Sequence, residues 1–121
     1  MANTFKVVTF AAEPNAAGTE YVLYTTAGST TTIILGLLLC NIHTSQVTAT
    51  VRLISDTTKT GATGNANNTT SVLVKDIPIP AGSSVEIMAG NKIVLETTDQ
   101  IDVDCSVADK LSGTMSIMEI T

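Results

Sequence analysis

The sequence predicts an all-β fold, either an antiparallel two-sheet sandwich or a jelly-roll-like barrel of about eight or nine short strands. Three observations carry this. Threonine, valine and isoleucine are abundant, tryptophan is absent, and the only aromatic residues are Phe5, Phe10, Tyr21 and Tyr24. β-branched side chains are stiff at χ1 and suit a pleated surface better than a helix. Apolar residues alternate with polar ones in several segments, and Gly-, Pro- or Asn-containing turn signals separate the segments at roughly eight- to twelve-residue intervals. With 121 residues the chain forms one domain, residues 1–121, long enough to bury a core without staples.

Thr4–Phe10 is the first expected strand, near a sheet edge because its apolar residues do not alternate cleanly. A polar stretch, Glu13–Thr19, separates it from Glu20–Thr26. After Ala27-Gly28 comes Thr31–Cys40, whose unbroken apolar run without helix caps suits a strand buried on both faces or one in contact with another subunit. In "VTATVRL" Val47, Ala49, Val51 and Leu53 share one face, and Thr48, Thr50 and Arg52 the other. The short "NIHTSQ" before it reads as a hairpin loop pairing these two strands.

Ser55–Ser71, "SDTTKTGATGNANNTTS", has almost no apolar residue and is expected to be a long polar loop, since it cannot bury enough surface to offset its ordering entropy. Asn67 and Asn68 each open an Asn-x-Thr sequon, which has no meaning without export. Ser71–Pro80 resumes β structure, and Pro78 and Pro80, lacking N–H groups, mark an edge or a strand end. Val85–Met88, Lys92–Glu96, Gln100–Val107 and Gly113–Ile120 complete the set. In "IDVDCSV", Ile101, Val103, Cys105 and Val107 are expected to point in, and Asp102, Asp104 and Ser106 out.

Two Ala-Gly units, "AGSSVEI" and "AGNKIVL", repeat eight residues apart. A phosphate cradle places its glycines between a strand and a helix. Here strand-type alternation follows both glycines, so the units read as turn plus strand, spaced as a short hairpin, with Val85/Ile87 and Ile93/Leu95 facing inward.

Few residues suggest chemistry. His43 stands beside Ser45 in the expected loop, but no carboxylate is placed to orient it. Asp99, Asp102 and Asp104 form an acidic cluster. Asp102 and Asp104, about 7 Å apart on one strand face, are a candidate for Ca²⁺ with loop oxygens, against a solvated face that discourages edge pairing. No zinc or nucleotide motif occurs. No catalytic, cofactor or metal residue is therefore assigned, and the chain is not expected to be an enzyme. Cys40 and Cys105 are too few for a disulfide framework and sit in apolar settings that suit buried thiols, with a bridge left open.

The net charge is −5. Up to Lys75 the charges nearly cancel, whereas from Asp76 onward acids outnumber Lys92 and Lys110 fourfold. That balance disfavours nucleic acid as a partner. The N-terminus lacks a secretory pattern, and "IILGLLLCNI" is about half the length of a membrane helix. Synthesis in a cytoplasm, with no membrane association, is expected.

Three phrases, "VLYTTAGSTTTIILGLLLCNIHTSQVTATVRLI", "VLVKDIPIPAGSSVEIMAGNKIVLETTDQIDV" and "GTMSIMEI", resemble a group of small all-β virion structural proteins of tailed bacteriophages, cyanophages among them. The resemblance runs from Glu20 to the C-terminus apart from Ser55–Ser71. It carries over Gly28, Gly82 and Gly90 as turn positions and Pro78 and Pro80 as strand-end markers, and departs from the pattern in having Thr26 in place of a proline. It implies a capsid decoration, or cement, protein that binds the major capsid protein or other virion proteins and forms homo-oligomers, trimers foremost. A neck, tail or fibre component, with host-surface recognition through residues 55–71, is the alternative.

Overall fold

The computed structural model describes residues 2–56 and 69–121. They form nine strands: β1 (Asn3–Glu13), β2 (Tyr21–Thr25), β3 (Thr31–Asn41), β4 (Val47–Ile54), β5 (Thr70–Ile79), β6 (Ser84–Glu86), β7 (Ile93–Leu95), β8 (Gln100–Cys105) and β9 (Leu111–Ile120). The fold is the expected all-β antiparallel sandwich. One sheet runs β1-β9-β3-β6, with β7 also on β3, and the other runs β2-β8-β4-β5. The residues expected to form the long loop at 55–71 fall largely outside the described residues. Of its ends, Thr70 and Ser71 belong to β5.

The connectivity is that of a jelly roll. Thr4 pairs with Glu119, Val22 with Asp102, Leu39 with Val85 and Ala49 with Ile77, so partner numbers add to about 125 throughout. The chain is thus one nested antiparallel hairpin whose tip lies between β4 and β5. Rolling it up brings β9 against β3 and β8 against β4, and so assembles the two open sheets.

This corrects two expected hairpins. β3 and β4 do not pair: β3 lies in the first sheet, β4 in the second, and residues 42–46 cross between them. Nor do β6 and β7 pair with each other. Both run antiparallel to β3, β6 against Leu38–Cys40 and β7 against Thr32–Ile34. They are two pieces of a single edge strand, interrupted where Ala89 (φ 50°) and Gly90 (φ 85°) turn left-handed and Asn91 N–H donates to the Met88 carbonyl at 2.9 Å. Gly82 (φ 70°) makes the preceding turn, as expected. At Ala27-Gly28 it is the next residue, Ser29 (φ 55°), that takes the left-handed conformation.

The alternations were legible. Val47, Ala49 and Val51 of β4 and Ile101, Val103 and Cys105 of β8 are fully buried. They meet Ile34, Leu37, Leu39, Leu95, Met115 and Ile117 from the first sheet. Each such aliphatic side chain contributes about 1.5–3 kcal/mol by leaving water. Phe10 tilts against Tyr21 with centroids 5.3 Å apart, which seals the sandwich where β1 passes to β2. β3 differs from expectation, because only one of its faces is buried. Ile34, Leu37 and Leu39 point in, while Ile33, Leu35 and Leu38 point to the outside and stay half-buried or exposed. β1 is an edge strand, as expected, and so is the Pro78-bearing β5, which pairs with β4 alone.

Buried polar side chains tie the ends together. Asn41, fully buried, donates from Nδ2 to the carbonyls of Ser45 (2.9 Å) and Ile79 (2.8 Å), and its Oδ1 accepts the His43 N–H at 2.7 Å. One side chain thereby fixes the crossover after β3 against the end of β5. Elsewhere the two sheets are latched by Tyr24. Its hydroxyl donates to Glu119 Oε2 at 2.6 Å and lies 2.8 Å from Thr32 Oγ1, while Lys6 pairs with Glu119 Oε1 at 2.7 Å.

Candidate functional site

The acidic residues singled out in the sequence do not gather into one site. Asp99 lies at the end of the sandwich where the 55–69 connection begins. It is buried, and its two oxygens accept the N–H groups of Asp56 (3.2 Å) and Glu96 (3.0 Å), closing the turn before β8. Asp102 and Asp104 lie on the outer face of the second sheet. Asp104 Oδ2 accepts from Arg52 Nη1 at 2.8 Å, and Glu20 Oε1 lies 3.6 Å from the same nitrogen. Thr50 and Asp76 continue the face, with Asp76 N–H donating to Thr50 Oγ1 at 3.0 Å. Among the described residues no three His, Cys, Asp or Glu side chains form a group that could hold a metal ion.

Asp102 was expected to be exposed and is instead only 2% exposed. The reason is its strand. β8 is central in its sheet, so Asp102 stands between Val22 of β2 and Arg52 of β4, and a side chain this short is shaded from both sides. One of its oxygens, Oδ1, is buried without a hydrogen-bond partner among the described residues. Burial, reinforced by the neighbouring Glu20 carboxyl and opposed by Arg52, pushes its pKa up to about 6.

The sign of the resulting pH dependence is definite. Between roughly pH 4 and the raised folded value the native chain holds a proton that the unfolded chain has released, so stability falls as pH rises through that window. At neutral pH the buried charge costs on the order of 1–2 kcal/mol after allowance for screening. Asp102→Asn is therefore expected to stabilise the protein by about that amount at pH 7.5 and to leave it little changed near pH 4. Thermal melts across this range check it, and equal effects at both pH values would refute the buried-charge account.

The other candidates also have structural places. His43 and Ser45 sit in the crossover, where Asn41 takes the backbone N–H of one and the carbonyl of the other. Cys40 and Cys105 are free thiols. Cys105 is buried in the core as expected, whereas Cys40 is half-buried on β3 of the opposite sheet. Sequence inspection passed over Asn41 and Glu119. Glu119 left a signal, since it continues the inward phase of Met115 and Ile117.

The outer face of the first sheet has a different character. Phe5 pairs with Met118, Met118 with Ile33, and Ile33 with Val94, giving an apolar row across β1, β9, β3 and β7. Val7 and Leu38 extend it, beside Ser116 and Thr114. Phe5 is 72% exposed, Val7 64% and Val94 56%. The carboxylate at this edge, Glu86, is turned to the backbone and accepts the N–H groups of Leu37 (2.9 Å) and Met88 (3.0 Å). The two outer faces are thus unlike, one mainly apolar with Glu86 at its edge, the other dominated by carboxylates around Arg52.

No protein-family model and no curated protein matches the chain. Solved structures do match in fold. A chain from the infectious bursal disease virus particle superposes with a TM-score of 0.52 at 10% identity, over 97% of this chain and 30% of that one. The VP2 subviral particle of the same virus gives 0.51 at 13% identity, over 97% and 32%. A protein of the disulfide-linked pili that form Bacillus endospore appendages gives 0.47 at 16% identity, over 99% and 87%. This chain therefore spans about a third of the length of the viral chains it matches, and at these identities the likeness shows that it shares their β-sandwich fold.

Proposed function

We propose that this chain is a structural protein of a virion and, within that class, a capsid decoration protein that binds and reinforces the capsid lattice. The observation that carries the assembly reading is the exposed apolar face of β1-β9-β3-β7. A protein that works alone in water rarely leaves such a contiguous face uncovered. The jelly-roll sandwich and its likeness to viral particle proteins support a structural role, and the tailed-phage phrases in the sequence favour decoration. Asp99, which first suggested chemistry, holds backbone N–H groups and Asp104 holds Arg52, which fits a scaffold. On a lattice, many weak contacts add through multivalency.

The test is copy number per particle, measured by quantitative mass spectrometry of purified virions that contain the chain. Decoration requires at least tens of copies. A dozen or fewer would overturn it in favour of a neck, tail or fibre position.

A further inference from the structure

We infer that the outer face of the first sheet binds the same face of a second copy of this chain, sheet against sheet, about a two-fold axis. This deepens the assembly reading and rests on it only in taking the face to be a covered one.

Among the described residues, four of the seven exposed large hydrophobic ones, Phe5, Val7, Leu38 and Val94, lie on this single face. Four strands at ~4.8 Å spacing and four side-chain rows at ~6.8 Å give a footprint on the order of 500 Å² per copy. Two such footprints total roughly 1,000 Å², the lower bound for a specific interface. The expected dimer is accordingly a weak one.

The occupant follows from the relief and the charge. A two-fold contact requires one patch to carry both the projection and its receptacle. Here the Phe5 ring projects, and in the next row lie Ser116 and Gly36, side by side across β9 and β3. Ser116 is the small residue on which the ring of a second copy packs. Beside it the space over Gly36 is bordered by Glu86, whose Oε1 would lie 3.3 Å from a Cβ there. The row of Phe5, Met118, Ile33 and Val94 carries no charge, with the Glu86 carboxylate at its β6 edge, whereas the chain carries −5 overall. Two copies meeting here keep their carboxylate-rich second sheets turned away from each other; any contact between those sheets sets like charges together.

Sedimentation equilibrium of the full chain over about 1 µM to 1 mM tests the inference. The expected result is a monomer–dimer equilibrium. Phe5→Glu should weaken it by about 100-fold, since each dimer then buries two charges. Val94→Glu should act in the same direction. Val72→Glu, at an exposed valine on β5 of the second sheet, should leave the equilibrium unchanged. All three sites are exposed, so circular dichroism and melting should match the parent and separate lost pairing from lost folding. A parent that stays monomeric to 1 mM, a trimer, or a dimer indifferent to Phe5→Glu would overturn the inference. The outcome is independent of particle copy number: a dimer broken by Phe5→Glu together with a low copy number would refute decoration and leave the face standing.

Discussion

Replacing Asn41 with alanine is expected to lower the unfolding free energy by about 3 kcal/mol at neutral pH. The side chain makes three hydrogen bonds in a site closed to water, and truncation leaves two carbonyls and one N–H without their partner. Each orphaned group costs about 1–3 kcal/mol, partly recovered as the loops relax. Asn41→Asp sharpens the test. It keeps the acceptor for His43 N–H but sets a carboxylate oxygen against the carbonyls of Ser45 and Ile79. The aspartate variant should therefore be less stable than the alanine variant at pH 7 and should recover as acid protonates it. Urea melts at pH 7 and pH 4 decide the matter. An alanine variant within about 0.5 kcal/mol of the parent would mean that water replaces Asn41 at little cost.

Gly113→Ala is the second large effect. Phe10 and Gly113 face each other across β1 and β9, and the phenyl ring occupies the space that a side chain at 113 would need. An alanine Cβ would stand 2.3 Å from Phe10 Cε1 and 2.6 Å from Cζ. The ring cannot simply swing aside, since Phe10 is buried and packed on Tyr21. A cost of about 2–4 kcal/mol is expected from overpacking. If collision is the cause, the two positions are coupled. Phe10→Leu alone should be destabilising, yet combined with Gly113→Ala it should recover at least about 1 kcal/mol relative to the sum of the single changes. Additive losses in chemical denaturation would exclude the collision.

What could be read from the sequence was local, and what could not was long-range. The phases of β4 and β8 followed from period two, because a half-buried strand must alternate. Partnerships did not follow. Neighbouring strands usually pair, and that expectation joined β3 to β4 and β6 to β7. In a nested hairpin rolled into two sheets, β3 and β4 instead lie in different sheets, and β6 and β7 follow one another along the same edge of β3. The buried state of Asp102 was hidden for the same reason, since shading comes from Val22 and Arg52, 80 and 50 residues away. The unbroken apolar run of β3 had two explanations in sequence, burial on both faces or contact with another subunit. The structure excludes the first, because Ile33 and Leu38 face outward. Asn41 gave no local sign at all, and its importance lies in joining two connections that are distant in sequence.

The place of β9 bears on when the molecule becomes able to associate. It is last of the nine strands in chain order, yet it lies between β1 and β3 and supplies Met118 to the row of Phe5, Ile33 and Val94. A growing chain that has already made β3 needs on the order of ten seconds more to deliver β9, at typical rates of synthesis. During that interval Phe5 and Ile33 have no strand to hold them side by side, so the sticky surface does not yet exist. Without β9, Phe5 and Ile33 would lie on strands with nothing between them, and the row would lose Met118.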